Sequence, residues 1–236
     1  MKKILETLKL KWPEYLLEIM VITIGILLAF GLNNWNENRK QSKNDIDFLI
    51  SLKAELSTDT AALSVRKSRL MRINDETSRT LNLFDSADAI SDSEYVTISL
   101  ALGNLSILTP SPKNERFDFR SNGTLNRISK QLNQKFLVFL ERLEHDYVIF
   151  QKLGEELEKI STQYIHPKVD FDFMEGNLTN RRADFQFDNI KNDRLVKNAL
   201  HRSFLYRKGE INSIEQQIQQ IEEILSIIEE HLSANE

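Results

Sequence analysis

The hydrophobic positions along the chain fall into two regimes that meet near Trp35. From Tyr15 to Leu32 the residues are almost wholly apolar, in the stretch PEYLLEIMVITIGILLAFGLNNWNE. Eighteen residues rise about 27 Å as a helix, close to the roughly 30 Å hydrocarbon core of a bilayer. Trp12 and Trp35 bracket the run; the 23 steps between them amount to about 34 Å, near the two interfaces where amphipathic rings settle. The pattern predicts a short basic segment (1–12), a transmembrane helix (13–35) and a helical domain (36–236). Pro13 suits a first helical position, and Asn33, Asn34 and Asn36 crowd the exit.

Beyond Trp35 the apolar spacing turns helical. Leu49, Leu56, Leu63 and Leu70 recur every seven residues, with Leu52 and Ile73 between them and Asp59 and Arg66 interrupting the stripe, which predicts amphipathic helix to about residue 84. DSADAISDSE (85–94) breaks the pattern before a short helix to Leu105, and TPSPKN (109–114) reads as a loop. From Asn122-Gly123, two rows (Phe136, Leu143, Phe150, Leu157, Tyr164 and Leu125, Leu132, Phe139, Leu153, Ile160) predict a long helix with a wide apolar face, stopped by Pro167. The last helix, from about Asn192, places Ile211, Ile214, Ile218, Ile221, Leu225, Ile228 and Leu232 in the 3-4 spacing of a coiled-coil seam. Ile224 and Ile227 widen that seam, which favours packing against two neighbours.

Three short segments alternate at strand period: Phe117-Asp118-Phe119, Phe171-Asp172-Phe173 and Phe185-Gln186-Phe187. MEGNLTNRRAD separates the second from the third, so a small β-hairpin is expected there. The six phenylalanines form an aromatic end-cap of the helices or, as the rarer use of such side chains, line a pocket.

Glu18 sits inside the apolar run. At about 100° per residue, Ile22, Gly25 and Ala29 fall within about 40° of it, so the carboxylate shares a stripe with Gly25-x-x-x-Ala29. Small residues four apart let a second helix approach closely, and an ionisable group in a span faces protein or water before lipid. The competing reading has Glu18 one turn from the interface, snorkelling toward Lys11 or water. A cleavable signal peptide is a rival for the whole segment, since Lys2, Lys3, Lys9 and Lys11 precede it and Ala29-Phe30-Gly31 is a small-x-small site. Glu14, Glu18 and the unbroken helical continuation favour an uncut anchor. The slight excess of Lys before the run leans to an inside N-terminus.

Composition narrows the chemistry. Seven Gly and four Pro among 236 residues suit long helices, and a net charge of -4 with acids and bases interspersed lacks the basic stripe of a nucleic-acid binder. No cysteine means no disulfide, thiol nucleophile or Cys-ligated zinc. His145, His166, His201 and His231 are scattered, and Glu141 with His145 reads as a surface pair, not as metal ligands. Arg116, Arg120, Arg127, Arg181 and Arg182 surround the aromatic loops with acids nearby, as solvated ion pairs do. No phosphate loop, nucleophile elbow or H-E-x-x-H is present. Neither enzyme activity nor a cofactor is expected.

EIMVITIGILLAFGLNNWNENRK, then IDFLISLKAEL and FDFRSNGTLNRISKQLNQKFLVFLERLEHDY, resembles an uncharacterised family of small single-pass membrane proteins common in Bacteroidota, with a GIL-x(5)-NNWNE-like motif at the membrane exit. The chain departs from that pattern at Phe30-Gly31. The resemblance implies an integral membrane protein and no assigned activity.

The expected fold is mainly α: one N-terminal transmembrane helix, then an elongated antiparallel helical bundle with coiled-coil character and a minor β-hairpin. The expected role is a non-enzymatic interaction or scaffolding protein, single-pass in a bacterial inner membrane with its bulk periplasmic. Its expected partners are the bilayer and either a second copy or another membrane protein. The alternative is an extracytoplasmic ligand-sensing bundle without its own output domain.

Overall fold

The computed structural model describes residues 2–86, 90–105, 123–168 and 190–234, and for 2–11, 14 and 92 the backbone alone. All elements among the described residues are helical: α1 (Lys2–Asp85), α2 (Asp92–Gly103), α3 (Thr124–Ile128), α4 (Lys130–Ile160) and α5 (Arg194–Ser233). The expected hairpin over 171–187 lies outside the described residues. Contacts divide the chain into two compact units, Met1–Leu52 and Lys53–Glu236. That division follows packing, whereas the boundary expected at residue 35 follows composition.

In the first unit, α1 is helical well before the membrane-length run. Pro13 therefore stands inside the helix and not at its first position. Leu, Glu and Lys between residues 4 and 11 are good helix formers, and Pro removes one backbone donor from a helix that is otherwise free to continue. No Pro occurs from 14 to 109 and no Gly from 32 to 102, so nothing halts α1 before the Asp- and Ser-rich stretch at 85.

In the second unit, α5 runs antiparallel to two partners. Lys53–Glu229 (2.9 Å), Lys67–Glu215 (2.8 Å) and Lys197–Asp85 join it to residues 53–85 of α1 in descending order. Lys135–Glu223 (2.6 Å) and Arg202–Glu156 (2.5 Å) do the same with α4. Leu81 and Phe84 of α1, Ile98, Leu102 and Leu105 around α2, and Val196 and Leu200 of α5 form one buried apolar cluster.

Two sequence expectations are corrected here. The helix expected from residue 123 breaks at Ser129, whose extended backbone (φ -155, ψ 120) lets its hydroxyl accept from Leu132 N–H and start α4 afresh. Before Pro167, α4 gives way to a π turn (Ser161–Ile165) and a short 3₁₀ turn (His166–Lys168). The seam of α5 is also rotated: Ile214, Ile221, Ile224 and Ile228 are buried, whereas Ile211, Ile218, Leu225 and Leu232 are only partly so. The buried row includes Ser203, Arg207, Glu210 and Gln217, which a search for apolar spacing passes over.

Asp193 ties the start of α5 to the end of α4. Its Oδ1 accepts from Leu195 and Val196 N–H, capping α5, while Oδ2 accepts from Tyr164 Oη (2.8 Å) and Lys168 Nζ (2.6 Å). The Lys168 ammonium also lies 3.5 Å from the centre of the Tyr164 ring.

Candidate membrane segment and the polar seam

Every described side chain from Trp12 to Asn44 is exposed, including Glu18, Ile22, Gly25 and Ala29. The best 18-residue window reaches a mean hydropathy of 2.3 with none of it buried, so the helix is long and apolar enough to cross a membrane. A buried core helix would be covered. Trp12 and Trp35 are each 61% exposed, and the Arg39 guanidinium lies 5.9 Å from the Trp35 ring centre, which pairs the second tryptophan with a cation.

Polar groups in this stretch are handled within the helix where they can be. Thr23 Oγ1 donates to Ile19 O (2.7 Å), which satisfies the hydroxyl without a neighbour. Asn33 Nδ2 donates to Glu37 Oε1 (3.0 Å). Glu18 is the one carboxylate between Tyr15 and Leu32. A side chain added at Gly25 would meet nothing within 4 Å, so the small-residue stripe is open along its length. The structure keeps Glu18, Ile22, Gly25 and Ala29 on one continuous helix without covering them. The six phenylalanines (117, 119, 171, 173, 185 and 187) lie outside the described residues. His145 and Glu141 are exposed; the imidazole approaches Asp146 at 3.4 Å. Among the described residues no group of three His, Asp or Glu could hold a metal ion.

The second unit contains a polar site that apolar spacing did not reveal. Arg207 is fully buried on α5; its Nη1 donates to Asn104 O (2.7 Å) and its Nη2 to Thr77 Oγ1 (2.6 Å). One turn earlier, Ser203 donates to Leu105 O. Two side chains of α5 thus satisfy carbonyls at the C-terminal end of α2, where a cation complements the helix dipole. Burial pushes the Arg207 guanidinium down to about 10, against the opposing pull of Tyr206, Glu210 and Glu76. Glu210, also buried, accepts from Arg66 Nε (3.0 Å) and Nη2. The only hint in the sequence was Arg66 breaking an apolar stripe, because buried polar pairs look like surface residues until their partners are known.

Residues 18–107 match the model of a Family of unknown function (DUF6090). The match takes in the membrane-length run from Glu18, the rest of α1 and all of α2, and leaves α3 to α5 outside it. No curated protein and no solved structure matches the chain.

Proposed function

We propose that this chain is a membrane-anchored, non-enzymatic helical interaction or scaffolding protein of a bacterial cell envelope. It is held in the inner membrane by an uncut helix over residues 13–35, with the bulk on the periplasmic side as an antiparallel bundle. The observation that carries the reading is the apolar window, none of which is buried among the described residues, as a span facing lipid would be. The contact stripe of Glu18, Ile22, Gly25 and Ala29 then faces a second copy or another membrane protein, with the carboxylate hydrogen-bonded across the contact.

The absence of native cysteine makes a clean test. Single cysteines at Ile22, Gly25 and Ala29 crosslink in the membrane on this reading, and a cysteine at Ser233 reacts with an impermeant maleimide added to intact spheroplasts. Glu18→Leu and Gly25→Ile lose the crosslink and the co-purified partner in mild detergent. Wild-type behaviour of both variants would remove the stripe as an interface; protection at Ser233 would reverse the sidedness.

A second reading, ligand sensing, draws on an apolar groove of about 290 Å³ lined by Phe150, Leu153, Leu157, Leu205, Tyr206 and Gly209. A genuine ligand at 100 times its Kd stabilises by about 2.7 kcal/mol, so a thermal-shift screen separates the two readings.

A further inference from the structure

All three long helices of the second unit change sign in the same direction. From Arg194 to Lys208, α5 carries five Lys or Arg and no acid; from Gly209 to Ser233 it carries six Glu and no Lys or Arg. Residues 53–72 of α1 have five bases and two acids, and residues 73–85 have one base and three acids. In α4, residues 130–143 hold three bases and one acid, and residues 144–160 hold two bases and five acids.

Local helix physics does not account for this polarity. The macrodipole favours acids in the first turn and bases in the last, and neither α4 nor α5 has an acid in its first turn. Pairs at i, i+4 are closed to α5 as well, because neither half contains the opposite charge. Solvation alone does not require segregation, since a mixed face is equally soluble.

Interhelical geometry does account for it. Six ion pairs among the described residues join α5 to α1 or α4, and they sort by half: Lys197 and Arg202 reach acids, while Glu210, Glu215, Glu223 and Glu229 reach bases. Antiparallel packing sets each basic half against an acidic half. Parallel packing would set basic against basic and acidic against acidic on both sides of α5. The apolar seam lacks that preference, because Ile214, Ile221 and Ile228 repeat at seven and read the same in either direction.

We infer that the segregated charges of α5 are an orientation device: they select antiparallel docking of this helix between α1 and α4 and reject the parallel arrangement that its isoleucine seam allows. The device acts mainly by repulsion in the wrong arrangement, so it does not require any one exposed pair to be strong.

The test uses the full chain in mild detergent, with cysteine pairs as reporters. Lys53→Cys with Glu229→Cys crosslinks through a short bis-maleimide when α5 is antiparallel; Lys53→Cys with His201→Cys crosslinks when it is parallel. A four-fold reversal on α5 (Lys197→Glu, Arg202→Glu, Glu215→Lys, Glu223→Lys) loses the first crosslink and lowers the thermal midpoint. Adding Asp85→Lys, Glu156→Lys, Lys67→Glu and Lys135→Glu restores both. The crosslink loss of the four-fold variant is relieved in 1 M salt, where the Debye length falls to about 3 Å. Wild-type crosslinks and midpoint in the four-fold variant overturn the inference. So does an eight-fold variant that fails to recover, because then side-chain identity and not sign governs the docking.

Discussion

Glu210→Gln isolates the cost of leaving buried guanidinium groups without their carboxylate. The substitution keeps shape and removes one charge. The Glu210 side chain is 3% exposed and that of Arg66 19%, while Arg207, which also feels the Glu210 charge, is fully buried. Removing one partner of a buried ion pair typically costs about 3–5 kcal/mol, because the remaining charge stays desolvated. Partial access of Arg66 to water lowers its share, whereas Arg207 has no such relief, so about 3 kcal/mol is expected. At about 2–4 °C per kcal/mol for a unit of this size, the midpoint falls by about 6–12 °C. The assay is far-UV circular dichroism of the full chain in detergent, melted beside Glu229→Gln, whose pair with Lys53 is largely exposed. That control costs at most about 1 kcal/mol. Combining Glu210→Gln with Arg66→Leu recovers part of the loss, a coupling that independent sites do not show. If Glu210→Gln melts with the Glu229→Gln control, the buried polar seam contributes no more than the surface pairs and the reasoning fails.

Further expectations follow from the same contacts. Gly209→Ala raises stability by about 0.5–1 kcal/mol, and the melting midpoint with it, since helical Ala is favoured over Gly and the added carbon meets Phe150 at an ordinary 3.7 Å. Gly123→Ala costs about 1–2 kcal/mol by placing an L side chain at φ 60; equal melting of the two variants would contradict both. Asp193→Ala removes the cap of α5 and costs about 1–2 kcal/mol by urea titration. Acid lowers stability through three carboxylates held below their ordinary range: Asp85 by the Lys197 ammonium, Glu223 by that of Lys135, and Asp193 by Lys168, Tyr164 and two α5 N–H groups that together outweigh burial. The unfolded chain takes up protons at higher pH than these groups do, so their contribution is complete above pH about 5 and fades as pH falls below about 4. A midpoint unchanged between pH 6 and pH 3 would sink that assignment.

Periodicity carried the fold as far as apolar residues govern it. The membrane-length run was legible from its length and composition alone, whereas the helix through Leu56, Leu70 and Ile73 and the apolar face of α4 at Leu132, Phe136 and Phe139 were legible because burial there tracks hydrophobicity. The phase of α5 was not. Its buried row passes through Ser203, Arg207, Glu210 and Gln217, whose partners lie up to 144 residues away in sequence. The break at Ser129 is not legible in the sequence, because one hydroxyl cap outweighs an apolar rhythm that runs through it. Charges that are interspersed over the chain as a whole are segregated within α5, which an average conceals. The membrane stripe was legible as a set of positions, since one helix fixes which residues share a face.

Asp193 gives two distant backbone segments a shared opening event. Its two oxygens serve α5 and the end of α4 at once, so the first turn of α5 cannot fray without loosening Tyr164 and Lys168. Helix ends ordinarily exchange their amide hydrogens independently and early. Here the amides of residues 195–197 and those around the π turn at 161–165 should exchange at one common rate, and Asp193→Ala should release the two sets together. A single carboxylate thus turns two ordinary helix ends into one cooperative joint.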